Sequence, residues 1–152
     1  MASNRNRVAL VGKIGSGKTT LQQRLSKEEI HYLKTQQVLY SDKFIDTPGE
    51  FIDIPMFCRQ AINVSCDAGL IIVIVSSVDP QNTIPPYFIA TFNIPYIGVI
   101  TKIDRDDKDL KKAYRALEYA GIHKNKVYEV SSYTGEGIPE LEEKIHSVLN
   151  KK

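Results

Sequence analysis

Blocks of apolar residues recur along this chain at strand and helix spacing in turn. Three runs, Arg7–Val11, Gly69–Ser76 and Pro95–Ile100, are rich in Val, Ile and Leu and close on small or polar residues. Each predicts a buried strand, and the continuous β-branched stretch within Gly69–Ser76 predicts burial on both faces, as in parallel sheets. Val38–Tyr40 and Phe44–Asp46 are shorter strand-like pieces. Ser41-Asp42-Lys43 between them has turn chemistry, so the pair predicts a hairpin. Lys126–Val130 predicts a last strand.

Helical spacing fills the intervals. Lys18–Ser26 follows the first strand. Asp107–Ala120 carries Leu110, Ala113, Tyr114, Leu117 and Ala120 on one stripe, and Gly121 suits the cap that ends it. Gly137–Asn150 puts Ile138, Leu141, Ile145 and Leu149 on one side, with Pro139 near its start. Pro55–Asp67 and Ile84–Ala90 predict two further helices, and Lys27–Gln37 is a polar loop without a period. Alternation of strand and helix predicts an α/β sandwich with a mostly parallel sheet. Val38–Tyr40 is the one antiparallel edge strand expected. With no internal repeat, low-complexity stretch or linker, residues 1–152 read as a single domain.

The chemistry gathers where the predicted strands end. Gly12-Lys13-Ile14-Gly15-Ser16-Gly17-Lys18-Thr19 fits G-x-x-x-x-G-K-[ST], the phosphate-cradling P-loop, and sits between a strand and a helix as that motif requires. Gly12, Gly15 and Gly17 let successive N–H groups point into one concavity, with Ser16 and Thr20 beside them. In such a loop Lys18 would reach the β- and γ-phosphates, and the Thr19 hydroxyl would ligate Mg²⁺. Asp46 ends a strand piece, where an acid holds Mg²⁺ through water, and Gly49 can offer its N–H to the γ-phosphate. Thr101-Lys102-Ile103-Asp104 follows another strand. A carboxylate at Asp104 accepts from N1–H and the 2-amino group of guanine, a pair of donors that adenine lacks. Lys102 can lay its stem along the purine face. Asp104 or Asp106 also suits a helix N-cap, so that alternative stays open. Ser131-Ser132 follows the last strand, where backbone N–H groups could meet the guanine O6.

Composition narrows the class and adds little chemistry. Hydrophobic content of 42% and charged content of 25% suit a soluble globular chain. A net charge of +2 gives no general polyanion-binding surface, so no nucleic-acid partner is expected. Lys108-Asp109-Leu110-Lys111-Lys112 alternates in sign and reads as a solvated helix face. Cys58 and Cys66 have neither C-x-x-C nor metal spacing and read as reduced thiols. The stretch before the first strand has no apolar signal region, and Leu70–Val75 is far too short to span a bilayer. A cytoplasmic protein with no membrane partner is the expectation.

In this order, Gly12–Thr19, Asp46–Gly49, Thr101–Asp104 and Ser131-Ser132 resemble the guanine-nucleotide domain of P-loop GTPases. The resemblance implies a Ras-like P-loop NTPase sandwich holding Mg²⁺ and GTP or GDP, with ATP less expected. Lys34-Thr35-Gln36, Phe44–Glu50, Pro85-Pro86 and Ile97–Asp104 resemble more closely the EutP/PduV family of ethanolamine and propanediol utilisation. That resemblance implies association with a bacterial microcompartment, through a shell or enzyme partner. It also implies that Thr35 completes the Mg²⁺ shell when a γ-phosphate is present; by itself Thr35 is one hydroxyl in a polar loop.

Some positions depart from the Ras-like pattern. Glu50 stands where Ras-like members place Gln, and its charge at ~5 Å from a γ-phosphate would repel by about 3 kcal/mol at an effective dielectric near 20. Ile14 adds bulk where an arginine finger would approach, and Gly15 replaces the Asn of potassium-activated members. Arg59 is the internal candidate for such a finger, with a plain surface arginine as the alternative. Thr101 replaces Asn, and Ser132-Tyr133 replaces Ala-Lys. Slow GTP hydrolysis is therefore expected, with Lys18, Thr35 and Gly49 acting on the phosphates. Two other readings stay open: phosphoryl transfer to a small carboxylate such as acetate, for which ATP could serve, and a microcompartment-binding module whose nucleotide site is mainly structural.

Overall fold

A computed structural model describes residues 8–12, 17–25, 39–40, 44–46, 68–78, 89 and 94–149. β1 (Val8–Gly12) leads towards α1 (Lys18–Leu25). β2 (Leu39–Tyr40), β3 (Phe44–Asp46), β4 (Leu70–Ser76) and β5 (Tyr96–Thr101) follow. Then come α2 (Leu110–Tyr119), a 3₁₀ turn (Lys124–Lys126), β6 (Val127–Glu129) and α3 (Ile138–Leu149). Among the described residues the strands make one six-stranded sheet in the order β2-β3-β1-β4-β5-β6. All neighbours run parallel except β2 and β3, so β2 is the antiparallel edge strand that the pattern predicts.

Side-chain parity builds the layers. Successive residues of a strand face opposite ways, and β4 is buried along its whole length. Leu70, Ile72 and Ile74 pack with Leu21 and Leu25 of α1 and with Ile138, Leu141 and Ile145 of α3. Ile71, Val73 and Val75 pack with Ala113, Ala116 and Leu117 of α2. Each fully buried Ile or Leu contributes about 1.5–3 kcal/mol relative to exposure. Gly98 of β5 lets α2 close in, since a Cβ there would meet Leu117 Cδ1 at 3.0 Å. The chain moves from β1 to one side of the sheet and from β4 to the other. Right-handed connections running in opposite directions put α1 and α2 on opposite faces. The reversal falls at the carboxyl ends of β1 and β4, where such sheets bind ligands.

Element boundaries differ from the expectation by a few residues. β1 ends on Gly12, and Thr101 is the last residue of β5 where a position just past the strand is predicted. β6 is shorter than Lys126–Val130 because Lys126 closes a 3₁₀ turn. α2 starts three residues later than Asp107, and its N-cap is Asp109, whose carboxylate accepts from the Lys112 N–H at 3.2 Å. Neither Asp104 nor Asp106 caps it. The Asp109 N–H donates to Ser77 O at 2.6 Å, which ties the cap to the end of β4. At the other end Gly121 N–H bonds Glu118 O at 3.0 Å and Ile122 N–H bonds Leu117 O at 2.9 Å. This paired closure needs a left-handed residue, and Gly121 supplies it with φ +102°.

The Tyr114 hydroxyl on α2 donates to Glu129 Oε2 of β6 at 2.5 Å. Burial, then the hydrogen bond to Glu129 and its charge, push the Tyr114 pKa up to about 12. No helix among the described residues is long and apolar enough to cross a membrane. The predicted hairpin turn, the loop Lys27–Gln37, the helix Pro55–Asp67 and, apart from Ile89, the helix Ile84–Ala90 lie outside the described residues.

Candidate nucleotide-binding site

A cavity of about 180 Å³ opens at the carboxyl ends of the strands. It is lined by Gly17 and Thr20 at the start of α1, Thr101, Lys102, Asp104 and Arg105 at the end of β5, and Ser132 and Tyr133 beyond β6. Residues distant in sequence meet there because β1, β5 and β6 run the same way in one sheet.

The first wall is built by Gly17 and Thr20 at the start of α1. Gly17 precedes α1 and its carbonyl accepts the Leu21 N–H at 2.9 Å, so the helix begins there. Its φ of +100° is a conformation that glycine tolerates at no steric cost. A Cβ on Gly17 would stand 3.3 Å from Thr101 Oγ1. Gly17 therefore packs directly on the hydroxyl that replaces the longer Asn of the Ras-like pattern. That hydroxyl also donates to Val75 O at 3.5 Å, a long bond.

Lys102 shapes the next wall. Its φ is +62°, the left-handed region, which costs a non-glycine residue about 1–3 kcal/mol. Neighbouring bonds hold it there. Lys102 O accepts from Ser77 Oγ at 3.0 Å and from Arg105 N at 3.1 Å, and Ile103 N donates to Val130 O at 3.3 Å. The turn that results brings both Lys102 and Asp104 to the cavity. Arg105 is exposed and pairs with Asp107 at 3.3 Å.

Asp104 is oriented from behind. Ser131 Oγ donates to Asp104 Oδ1 at 2.8 Å and accepts the Thr134 N–H at 3.2 Å. Ser131 is fully buried. Its backbone N–H donates to Glu136 O at 2.9 Å, so it is already committed within its own loop. Ser132 is the member of the pair that lines the cavity.

Of the predicted site residues, Gly17, Thr20, Thr101, Lys102, Asp104 and Ser132 come together around the cavity, with Ser131 one bond behind. Gly12 ends β1, Lys18 and Thr19 open α1, and Asp46 ends β3 in register with Leu10 of β1. Gly15, Ser16, Thr35 and Gly49 lie outside the described residues, as do Ile14, Glu50, Cys58, Arg59 and Cys66. Arg105 and Tyr133 line the cavity without having been predicted. Arg105 is signalled in the sequence only by its place one residue past Asp104, and Tyr133 by standing where the Ras-like pattern has Lys after Ala.

This spatial grouping can be set beside known proteins. The sequence profile of PduV-EutP, described as ethanolamine utilisation - propanediol utilisation, matches residues 5–147. The chain belongs to the PduV-EutP family. Among PduV-EutP relatives, the propanediol utilization protein PduV of Citrobacter freundii is 31% identical over 136 residues, covering 89% of each chain. A protein described as probable acetate kinase EutP, from Escherichia coli K12, is 29% identical over 148 residues, 96% of this chain and 92% of that one. The crystal structure of a probable GTP-binding protein, engB, superposes with a TM-score of 0.68 at 17% identity, over 96% of this chain and 99% of that chain. At that identity the likeness concerns the fold: this PduV-EutP chain has the α/β Ras-like P-loop architecture.

Proposed function

We propose that this chain is a P-loop protein that binds GTP and GDP with Mg²⁺ and hydrolyses GTP slowly, in ethanolamine or propanediol utilisation. The observation that carries the reading is the Asp104 carboxylate, held by Ser131 Oγ at 2.8 Å on the cavity that Gly17 and Thr20 also line. A base recognised by Asp104 would thus lie one cavity away from the phosphates at the start of α1. The N-terminus of that helix favours negative charge. Lys18 would bind the β- and γ-phosphates, and the Gly49 N–H would steady the γ-phosphate.

The donor set suits Mg²⁺. Thr19, Thr35 and Asp46 offer hydroxyl and carboxylate oxygens, the hard donors this ion takes. The pairing of Asp46 with Leu10 sets the carboxylate-bearing strand end beside the strand that leads into the glycine loop. When bound, Mg²⁺ would neutralise charge on the phosphate oxygens. The family membership supports a setting in microcompartment metabolism, with a shell or enzyme partner, for a single cytoplasmic domain.

One observation favours a second reading. The Escherichia coli relative is described as a probable acetate kinase. Phosphoryl transfer to a small carboxylate would use the same phosphate-binding residues, with acetate in place of water. Incubation with GTP or ATP and acetate tests it, since acyl phosphate forms only in this reading.

The base-reading role of Asp104 is tested by Asp104→Asn. Affinity for GTP should fall by about 100-fold or more, and xanthosine triphosphate should become the better ligand, because its 2-carbonyl accepts from an amide. Calorimetric titration measures both. An unchanged preference for GTP sinks the reading.

A further inference from the structure

We infer that Tyr133 is a purine-stacking residue of this site, supplying affinity that does not depend on which purine is bound. The inference rests on the nucleotide reading above and adds a residue to it. Tyr133 lines the cavity and is 62% exposed, so most of this large aromatic side chain is open to solvent. A large aromatic side chain left open beside a polar cleft gains when a flat apolar surface covers it.

The backbone beneath the ring is fixed. Ser131 N–H donates to Glu136 O at 2.9 Å, Gly135 N–H donates to Ser131 O at 2.9 Å, and Thr134 N–H donates to Ser131 Oγ at 3.2 Å. The turn carrying Tyr133 is therefore closed on itself, and the same Ser131 hydroxyl positions Asp104. The residue that presents the aromatic face and the residue that reads the base edge are thus anchored through one serine. Lys102 lines the same cavity from the neighbouring loop. A π-face is common to every purine, whereas the Asp104 contact is not. Tyr133 thus raises affinity, and Asp104 selects.

The test uses the full chain and three probes: GTP, inosine triphosphate and inorganic tripolyphosphate, titrated by calorimetry. Tyr133→Ala should weaken GTP and inosine triphosphate by the same factor, about tenfold, as expected for loss of one stacked base. Tripolyphosphate should bind as before, and Tyr133→Phe should restore both nucleotides. Unchanged GTP affinity in Tyr133→Ala overturns the inference. An equal loss for tripolyphosphate also overturns it, because the loop and not the stack would then be responsible. So does a Tyr133→Phe variant as weak as Tyr133→Ala. If the unsubstituted chain binds neither nucleotide, the nucleotide reading itself falls, a result distinct from the other three.

Discussion

Ser131 has its hydroxyl and both backbone groups engaged, and each bond shapes the site. Its hydroxyl donates to Asp104 at 2.8 Å and accepts from Thr134 N–H, while its N–H and carbonyl close the loop that carries Tyr133. Ser131→Ala should therefore raise the Kd for GTP by about tenfold, the scale of one lost hydrogen bond to a charged group. Ser131→Thr should keep most of the affinity. Equal affinities for Ser131→Ala and the unsubstituted chain would show that Asp104 is oriented without it. At this scale the sequence is legible where one residue's chemistry is sufficient. A carboxylate after a buried strand points to Asp104 directly. Its partner is hidden, because the Ser131 contact depends on how two loops lie 27 residues apart. The left-handed Lys102 is hidden for the same reason: lysine has no preference for that conformation, and bonds from Ser77, Arg105 and Val130 hold it.

Among the elements, α2 was the clearest in the sequence and the least accurately bounded. Its apolar stripe predicts the buried face, and Ala113, Leu117 and Ala120 are indeed buried, with Leu110 and Tyr114 partly so. Its start is obscured by four aspartates at 104, 106, 107 and 109, each a competent cap. The choice is made by tertiary contact, since Ser77 O accepts the Asp109 N–H. The same helix is tied to β6 by the Tyr114–Glu129 bond. Burial, with Glu129 adding to it, raises the Tyr114 pKa from 10.0 to about 12. The folded state therefore holds this proton more tightly than the unfolded chain does. The contribution to stability is fully present below pH 10 and is lost as the pH rises through about 12. Urea titrations across that window should show stability falling with pH, and Tyr114→Phe should flatten the fall. An identical slope in the two proteins would remove Tyr114 as its source.

At the scale of the molecule, two hydrophobic layers share one sheet and, among the described residues, no side chain. Leu117 belongs to the layer under α2, and Ile145 to the layer under α1 and α3. Leu117→Ala should cost about 2–5 kcal/mol and Ile145→Val about 0.5–1.5 kcal/mol. Their sum should match the double variant within about 0.5 kcal/mol, read from denaturant midpoints. A larger coupling would mean that the sheet transmits strain between its faces. The layering was legible because unbroken apolar strands can be satisfied only by helices on both sides. The cavity was only partly so, because its walls come from three loops whose mutual placement no local pattern encodes. The borders of the sheet carry a last consequence. Among the described residues β2 contributes two at one border and β6 three at the other. Unpaired backbone at a sheet border is a template on which another chain can add a strand, and short border strands blunt it. Among the described residues, then, the sheet borders offer a crowding copy of this protein little to pair with, which disfavours self-association by strand addition.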